Sequence, residues 1–113
     1  MDFWEVVKRS ESGEKIPEDE FNRRVSRVSA EVIRKYNIKY NPDEVVSSDD
    51  ALADRFFAAG LEFAVETGLW VLDTQRVIRF TEAEIWRQLD NLHTPLVFGY
   101  GRDQVVLQPR KPE

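Results

Sequence analysis

The sequence has 113 residues, a formal net charge of −5 and no cysteine. This length fits one domain with a modest core, and 42% hydrophobic with 33% charged residues is typical of a globular chain rather than a disordered one. The acidic balance argues against nucleic-acid or anionic-membrane partners, and the missing thiols exclude disulfides and cysteine-based metal sites. The opening MDFWEVVKRS lacks the apolar core of a secretory signal, so we expect a cytoplasmic protein.

The first half of the chain is predicted to be helical. A short helix is expected over about Asp2 to Arg9, followed by the polar SESGEK stretch, whose glycine indicates a linker. Pro17 suits the first position of a second helix, because its missing N–H is not needed there. One apolar face of that helix recurs at helical spacing before the pattern ends near Tyr36. Its members are Phe21, Val25, Val28 and Val32.

A connector follows, and Asn41-Pro42 breaks the helical pattern. Ser47 or Ser48, with two aspartates behind it, is expected to open the next helix, over about Asp50 to Thr67. This helix is apolar around most of its circumference, which predicts that it is buried at the centre of the fold. Gly68 is expected to end it.

The second half has strand character. Two short strands, Leu69–Leu72 and Arg76–Phe80, are expected to flank a turn at residues 73–75. Thr81 and Glu84 form a capping-box pattern that opens another helix, and Pro95 is expected to end it. The apolar residues of this helix are expected to point inward: Ile85, Trp86, Leu89 and Leu92.

The densest local signal is GYGRD, residues 99–103. Two glycines beside an arginine suggest a loop around an anion, but the dinucleotide pattern needs three glycines and a helix after them. Here the strand-like QVVL follows. A β-hairpin in which Gly101 takes a positive φ, with Arg102 and Asp103 at its tip, accounts better for the residues. Arg102 stays a candidate for binding an anion or a neighbouring element.

Other polar and aromatic residues favour structural roles. Glu62 and Glu66 lie one helical turn apart, which suits a solvated stripe compensated by Arg55 better than a metal or shared-proton site. His93 is expected at a helix C-terminus, where the helix dipole favours its positive charge. The three tryptophans are expected to be core or interface anchors rather than a ligand cage: Trp4, Trp70 and Trp86.

Longer motifs carry a resemblance to a known family. An apolar helix ending in glycine is followed by Asp-Thr-x-Arg, Thr-Glu-x-Glu-Ile-Trp and Gly-x-Gly-Arg-Asp-x-Val. In order and spacing this resembles the N-terminal region of the monomethylamine:corrinoid methyltransferases, as do the segments DFWEVVKRSESGEK and ADRFFAAGLEFAVETG. The residues that carry the motifs are Gly68, Asp73, Thr74, Arg76, Thr81, Glu82, Glu84, Ile85, Trp86, Gly99, Gly101, Arg102, Asp103 and Val105.

The resemblance implies a function for the whole family member. Such proteins, in methanogenesis from methylamines, pass a methyl group from monomethylamine to the cobalt of a corrinoid protein, using a TIM barrel whose pocket holds pyrrolysine. A barrel of that kind takes about 250 residues, so 113 residues match only the region before it. The resemblance therefore assigns no catalytic, cofactor-binding or metal-binding residue to this chain, and no cofactor is expected on it.

The expected architecture is one α+β domain with about three main helices, a short N-terminal helix and two small hairpins. Its parts are residues 1–47 with the first helices and linker, 48–67 with the central helix, 68–94 with a hairpin and a capped helix, and 95–113 with the second hairpin and tail.

Three functions follow as hypotheses. The first is a scaffold that packs on a methyltransferase barrel and supports subunit contacts, with the barrel, a corrinoid protein or a second copy as partner. The second is a free-standing, non-catalytic binding or assembly module. The third is a small enzyme using Arg102, Asp103 and the Glu62/Glu66 pair. Arg102, Asp103 and Tyr100 are the candidate ligand or interface residues.

Overall fold

The computed structural model describes residues 1–92 and 95–110, which form four α-helices and two small antiparallel sheets. The α+β class expected from the sequence is confirmed. None of the described helices combines the length and apolarity needed to cross a membrane. The elements are α1 Phe3–Ser12, β1 Glu14–Lys15, α2 Glu18–Lys35, α3 Asp50–Thr67, β2 Leu69–Val71, β3 Arg76–Ile78, α4 Glu82–Asp90, β4 Leu96–Phe98, a 3₁₀ turn Gly101–Asp103 and β5 Val105–Leu107.

The first sheet has the strand order β1-β3-β2, and its centre is Val77, which is 1% exposed. The linker prediction for SESGEK was wrong: α1 continues to Ser12, and Glu14 pairs with Val77 as part of an edge strand. Gly13 allows this approach, because a Cβ there would lie 2.2 Å from the main-chain oxygen of Val77. A strand of two residues is too short to show the alternation of apolar and polar residues that predicts a strand. Its formation depends on pairing with β3.

A second core lies between α2 and α3. Val28 and Val32 of the predicted α2 face are buried against Ala59, and half-buried Tyr36, Ile38 and Phe63 surround them. This confirms the α2 face. Pro17 occupies the N-cap, one position before the expected place, and the helix ends at Lys35.

The prediction that α3 is buried was wrong for the described chain. Only Ala59 and Thr67 are buried on it, while Phe56 is 58% and Phe57 50% exposed. The helix packs on α2 and, more weakly, on α4, so the rest of its apolar circumference has no cover among the described residues. Its C-terminal end was predicted correctly, since Gly68 takes φ 69° directly after Thr67. The predicted cap at Ser47 or Ser48 was wrong: the Asp49 side chain accepts from the Leu52 amide, and the Ser47 hydroxyl accepts from the Asp49 amide instead.

Helix α4 starts as predicted, with both hydrogen bonds of the Thr81–Glu84 capping box present. It ends at Asp90, before Pro95, so the predicted terminator was wrong. Trp86 and Leu92 do not point inward, being 42% and 65% exposed, and Ile85 and Leu89 are half-buried. The cause is again that few elements face this helix. The expectation for His93 lies outside the described residues.

The second sheet is the predicted hairpin of β4 and β5. All described residues from Pro95 to Arg110 are exposed. The radius of gyration is 18.1 Å, whereas a compact chain of this length has about 13 Å. The hairpin therefore extends from the helical part with little support from it.

Candidate functional site: exposed apolar surfaces and an ionic clasp

The most exposed apolar feature is the hairpin surface, formed by six strand residues that are each 43–63% exposed. Neighbouring strand residues point to opposite faces, so an unbroken apolar run makes both faces apolar. A lone two-stranded hairpin is marginally stable in water. This surface is therefore suited to burial against another layer. Its members are Leu96, Val97, Phe98, Val105, Val106 and Leu107.

The tip of this hairpin carries the three residues singled out from the sequence. Gly99 and Gly101 have φ of 82° and 60°, and the 3₁₀ turn begins at Gly101. This confirms a hairpin turn, with the positive φ predicted for Gly101. Tyr100 is 94% exposed, and no side-chain hydrogen bond or ion pair joins Arg102 or Asp103 to another described residue. A ligand or interface role for these residues stays a prediction.

A second surface is the connector groove, between α2, α3 and the chain that joins them. Its walls include Ile33, Ile38, Tyr40, Phe56 and Phe63. Tyr40 is 86% exposed, so this groove is open. A third surface, the α1–α4 groove, lies between those two helices and is lined by Phe3, Val6, Phe80, Ile85, Leu89 and Leu92.

A fourth surface, the α3–α4 groove, contains the predicted glutamate pair. Glu62 is compensated by Lys35, 2.7 Å away, and accepts a 2.7 Å hydrogen bond from the Tyr36 hydroxyl. The expected compensation by Arg55 was wrong, because the cation comes from α2. The hydrogen bond from Lys35, followed by that from Tyr36, holds the pKa of Glu62 below its usual value. Glu66 lies one turn further along the same wall.

The three tryptophans have different partners, so they do not form one cage. Trp70 stacks on Phe21 with 6.3 Å between ring centroids, and its indole N–H donates to the main-chain oxygen of Ile16 at 3.1 Å. Trp86 contacts Phe57 at 5.5 Å in the α3–α4 groove. Trp4 is 74% exposed. Trp70 is thus a core anchor, whereas the other two lie on exposed surfaces.

An ionic clasp that sequence reasoning missed joins α1 to α4. The Arg9 guanidinium donates to both carboxylate oxygens of Glu84, to Glu5, and to the main-chain oxygen of Arg79. The hydrogen bond from Arg9, then that from the Thr81 amide, lowers the pKa of Glu84 from 4.5 to about 2. Glu84 raises the pKa of Arg9 in return. No local pattern relates residues this far apart in sequence.

The described residues contain no group of three or more histidine, cysteine or acidic side chains suited to a metal ion. The shifted pKa values are caused mainly by hydrogen bonds in three places: the Arg9–Glu84 clasp, the contacts of Glu62 with Lys35 and Tyr36, and the Glu14–Arg24 pair. The geometry thus offers packing surfaces.

Comparison with known proteins gives one consistent match. The sequence model of the family described as monomethylamine methyltransferase MtmB matches residues 1–113. MtmB1 of Methanosarcina barkeri and MtmB of Methanosarcina mazei are each 30% identical to this chain over 111 residues. Those alignments cover 97% of this chain and 24% of each relative, so the chain spans about a quarter of their length, in the N-terminal region.

Two solved structures share the fold. A crystal structure of the hydroxylamine MtmB complex superposes with a TM-score of 0.87, and one of Methanosarcina barkeri MtmB with 0.86. Both are 30% identical and cover 95% of this chain and 23% of theirs. The arrangement of helices and sheets described above thus also occurs within much longer polypeptides.

Proposed function

The chain belongs to the monomethylamine methyltransferase MtmB family and corresponds to the N-terminal part of its members, and from this membership we propose that it braces a catalytic barrel. The barrel itself is not formed by these 113 residues. In this role the second hairpin packs against the catalytic part and connects it to the helices. The methyl transfer is assigned to that part and not to any residue of this chain.

The hairpin surface carries the proposal. Both of its faces are apolar and exposed, and a two-stranded hairpin of this kind gains most of its stability from a covering layer. Exposed apolar surface of this extent is typical of interaction sites in soluble proteins. A catalytic body next to the hairpin supplies that layer.

The longer relatives support the same role. In their solved structures this unit makes up 23% of the chain, so most of the polypeptide is available to cover it. We extend the family's activity to the assembled protein: transfer of a methyl group from monomethylamine to a corrinoid protein that brings its own cofactor. A homo-oligomer and a cytoplasmic location stay predictions.

Association in trans tests this role. The chain is co-expressed with Methanosarcina barkeri MtmB from which the matching N-terminal quarter has been removed. We expect the two to co-purify as one complex and Val106→Asp, within the hairpin surface, to disrupt it. Leu72→Asp is the matched control, because Leu72 is 71% exposed in the turn between β2 and β3.

Two results contradict the bracing role. One is the absence of a complex although both pieces are folded. The other is equal binding by the two aspartate variants, which would show that the hairpin surface is not the contact.

The alternative is a free-standing, non-catalytic binding or assembly module. Its support is that the first sheet, with Val77 buried at its centre, and the Arg9–Glu84 clasp are both formed within these 113 residues. Cooperative unfolding of the chain alone, with the hairpin amides protected as well as those of β3, favours this alternative over bracing.

A further inference from the structure

The α3–α4 groove combines aromatic walls with carboxylates. Phe57 from α3 and Trp86 from α4 lie 5.5 Å apart at an interplanar angle of 52°, and they are 50% and 42% exposed. Leu61 and Val65 continue the apolar wall along α3. Aromatic side chains that are half exposed in this way are suited to receiving a partner side chain against their faces.

The charges of this groove do not balance. Its carboxylates are Glu62, Glu66 and Glu82. Two cations lie beside them: Lys35 at the rim, and Arg79, whose guanidinium donates to the main-chain oxygens of Val65 and Glu66. The net charge is therefore −1. Lys35 is already paired with Glu62. Glu82 accepts only from the neutral indole N–H of Trp86, at 3.3 Å, and the Glu66 carboxylate has no ion pair with another described residue.

The negative potential extends across the groove. The pKa of Lys35 is raised mainly by its hydrogen bond to Glu62, and the charge of Glu66 adds to this. The pKa of Tyr36 is raised mainly by the same carboxylate, with a further contribution from Glu82. Glu66 of α3 and Glu82 of α4 therefore both act on the neighbouring residues Lys35 and Tyr36.

A cation–π contact is already present within this groove. The Lys35 ammonium lies 5.4 Å from the centroid of the Tyr36 ring. A cation over an aromatic face is attracted by the ring quadrupole. Phe57 and Trp86 offer similar faces next to Glu66 and Glu82, whose carboxylates form no ion pair with another described residue.

The α1–α4 groove and the connector groove differ from it in charge. In the α1–α4 groove Glu84 is held by Arg9, and the Asp2 carboxylate caps α1. In the connector groove Glu44 accepts from the Ser48 amide and Lys39 stands on the same rim. Charge complementarity with a cationic partner therefore singles out the α3–α4 groove.

We propose that the α3–α4 groove docks a basic amphipathic helix of a protein partner, with an arginine or lysine placed over Phe57 and Trp86 between Glu66 and Glu82. The apolar side of the helix covers Leu61 and Val65. A protein segment fits better than a free organic cation, because the groove is an open trough whose apolar walls need a long apolar partner. This site uses no residue of the hairpin surface.

A peptide titration tests the proposal. The probe is a helix of leucine, alanine and arginine, about 16 residues and so about four turns long, with arginines spaced by about four residues on one face. It is added to the full chain, and the indole N–H signal of Trp86 is followed by NMR. We expect saturable binding that shifts this signal and weakens as salt rises.

Two variant pairs make the test specific. Glu66→Gln with Glu82→Gln is expected to weaken binding on the order of tenfold, because both carboxylates that meet the cation are lost. The control is Glu18→Gln with Glu20→Gln, which changes the net charge equally at the exposed first turn of α2. Trp86→Leu keeps an apolar side chain but removes the aromatic face together with the indole signal. Its binding is therefore measured by calorimetric titration, and we expect it also to be weaker.

Four outcomes overturn the proposal. The first is equal binding of a peptide in which glutamine replaces arginine. The second is equal binding by the two double variants. The third is a peptide-induced shift confined to the hairpin. The fourth is self-association of the chain through the groove in place of peptide binding.

Discussion

Arg9 and Glu84 are 75 residues apart in sequence and share two hydrogen bonds, Nη1–Oε2 at 3.0 Å and Nη2–Oε1 at 2.5 Å. Glu84 also accepts from the Thr81 amide at the start of α4. One arginine thus links α1 to the N-terminus of α4, and it reaches the end of the first sheet through the main-chain oxygen of Arg79. The clasp explains why a short N-terminal helix has a fixed place on this fold.

Arg9→Met is expected to lower the urea midpoint of unfolding. The change leaves the Glu84 side chain, which is 20% exposed, without its guanidinium partner. The control is Arg23→Met, because the pair of Arg23 with Asp19 is 73% and 67% exposed and such pairs contribute little. A midpoint for Arg9→Met that equals the control's would show that the clasp does not stabilise the fold.

Acid sensitivity should depend partly on Glu84. Its pKa in the folded chain, about 2, lies below its ordinary value of 4.5, so the folded state favours the charged form. The resulting stabilisation is fully present above about pH 5 and is lost as the pH falls from about 4.5 towards 2. In Glu84→Gln, urea midpoints measured across this range should fall less steeply than in the unaltered chain. Parallel curves would contradict the assignment.

Glu14 and Glu62 also have lowered pKa values, through Arg24 and Lys35 respectively. They titrate in the same direction, so a part of the acid sensitivity should persist in Glu84→Gln. Lys35→Met removes the cation beside Glu62 and is expected to raise the pKa of that carboxylate. NMR titration of the Glu62 side-chain carboxyl carbon measures the change, with Arg27→Met as the control.

The centre of the first sheet should tolerate little change. Val77→Ala removes two methyl groups from a side chain that is 1% exposed, at an expected cost of about 2 kcal/mol in the free energy of unfolding. Val97→Ala makes the same change where the side chain is 54% exposed, and should cost less than about 0.5 kcal/mol. Urea denaturation of both variants measures the difference. Equal losses in the free energy of unfolding would show that Val77 is not at the centre of the core.

Two glycines should respond in opposite directions to alanine. In Gly13→Ala the new Cβ would lie 2.2 Å from the Val77 oxygen and 2.9 Å from that of Arg9, so β1 must move away from β3. Gly60 lies within α3 with nothing within 4 Å of its Cβ position, so Gly60→Ala should stabilise by about 0.5–1 kcal/mol. Thermal unfolding measures both. Destabilisation by Gly60→Ala would contradict the open surface described there.

Amide exchange should separate the hairpin from the rest of the chain. In the isolated chain we expect the amides that pair β4 with β5 to exchange much faster than that of Val77, because no other described layer covers the hairpin. Hydrogen exchange followed by mass spectrometry or NMR gives the comparison. Slow exchange in β4 and β5 would show that the hairpin is stable without a covering partner.

The sequence predicted those parts of the fold that depend on a few neighbouring residues. The capping box of Thr81 and Glu84, the stop at Gly68 and the buried face of α2 are all set within about one or two helical turns. The hairpin at GYGRD was equally local, since a strand and not a helix follows its glycines. The family was identifiable from motifs spread along the chain, because their order survives at 30% identity.

A few errors were local, at the caps of α2 and α3 and at the end of α4. The larger ones concern contacts between distant residues. The edge strand Glu14–Lys15 exists because β3 passes beside it, and Glu62 is compensated from α2 and not from within α3. Apolar residues on α3 and α4 predicted burial, yet Phe57 and Trp86 are half exposed. The composition of a helix gives the amount of apolar surface that it carries. Whether that surface is buried depends on where the other elements lie.

By itself, then, the sequence determined the α+β class, the main helices, the hairpin turn and the family, since short-range backbone preferences and ordered motifs encode them. Tertiary structure alone decided the Arg9–Glu84 clasp, the negative α3–α4 groove and the uncovered hairpin surface. Each of these depends on how side chains or layers far apart in the chain are placed, and local periodicity does not specify such distances.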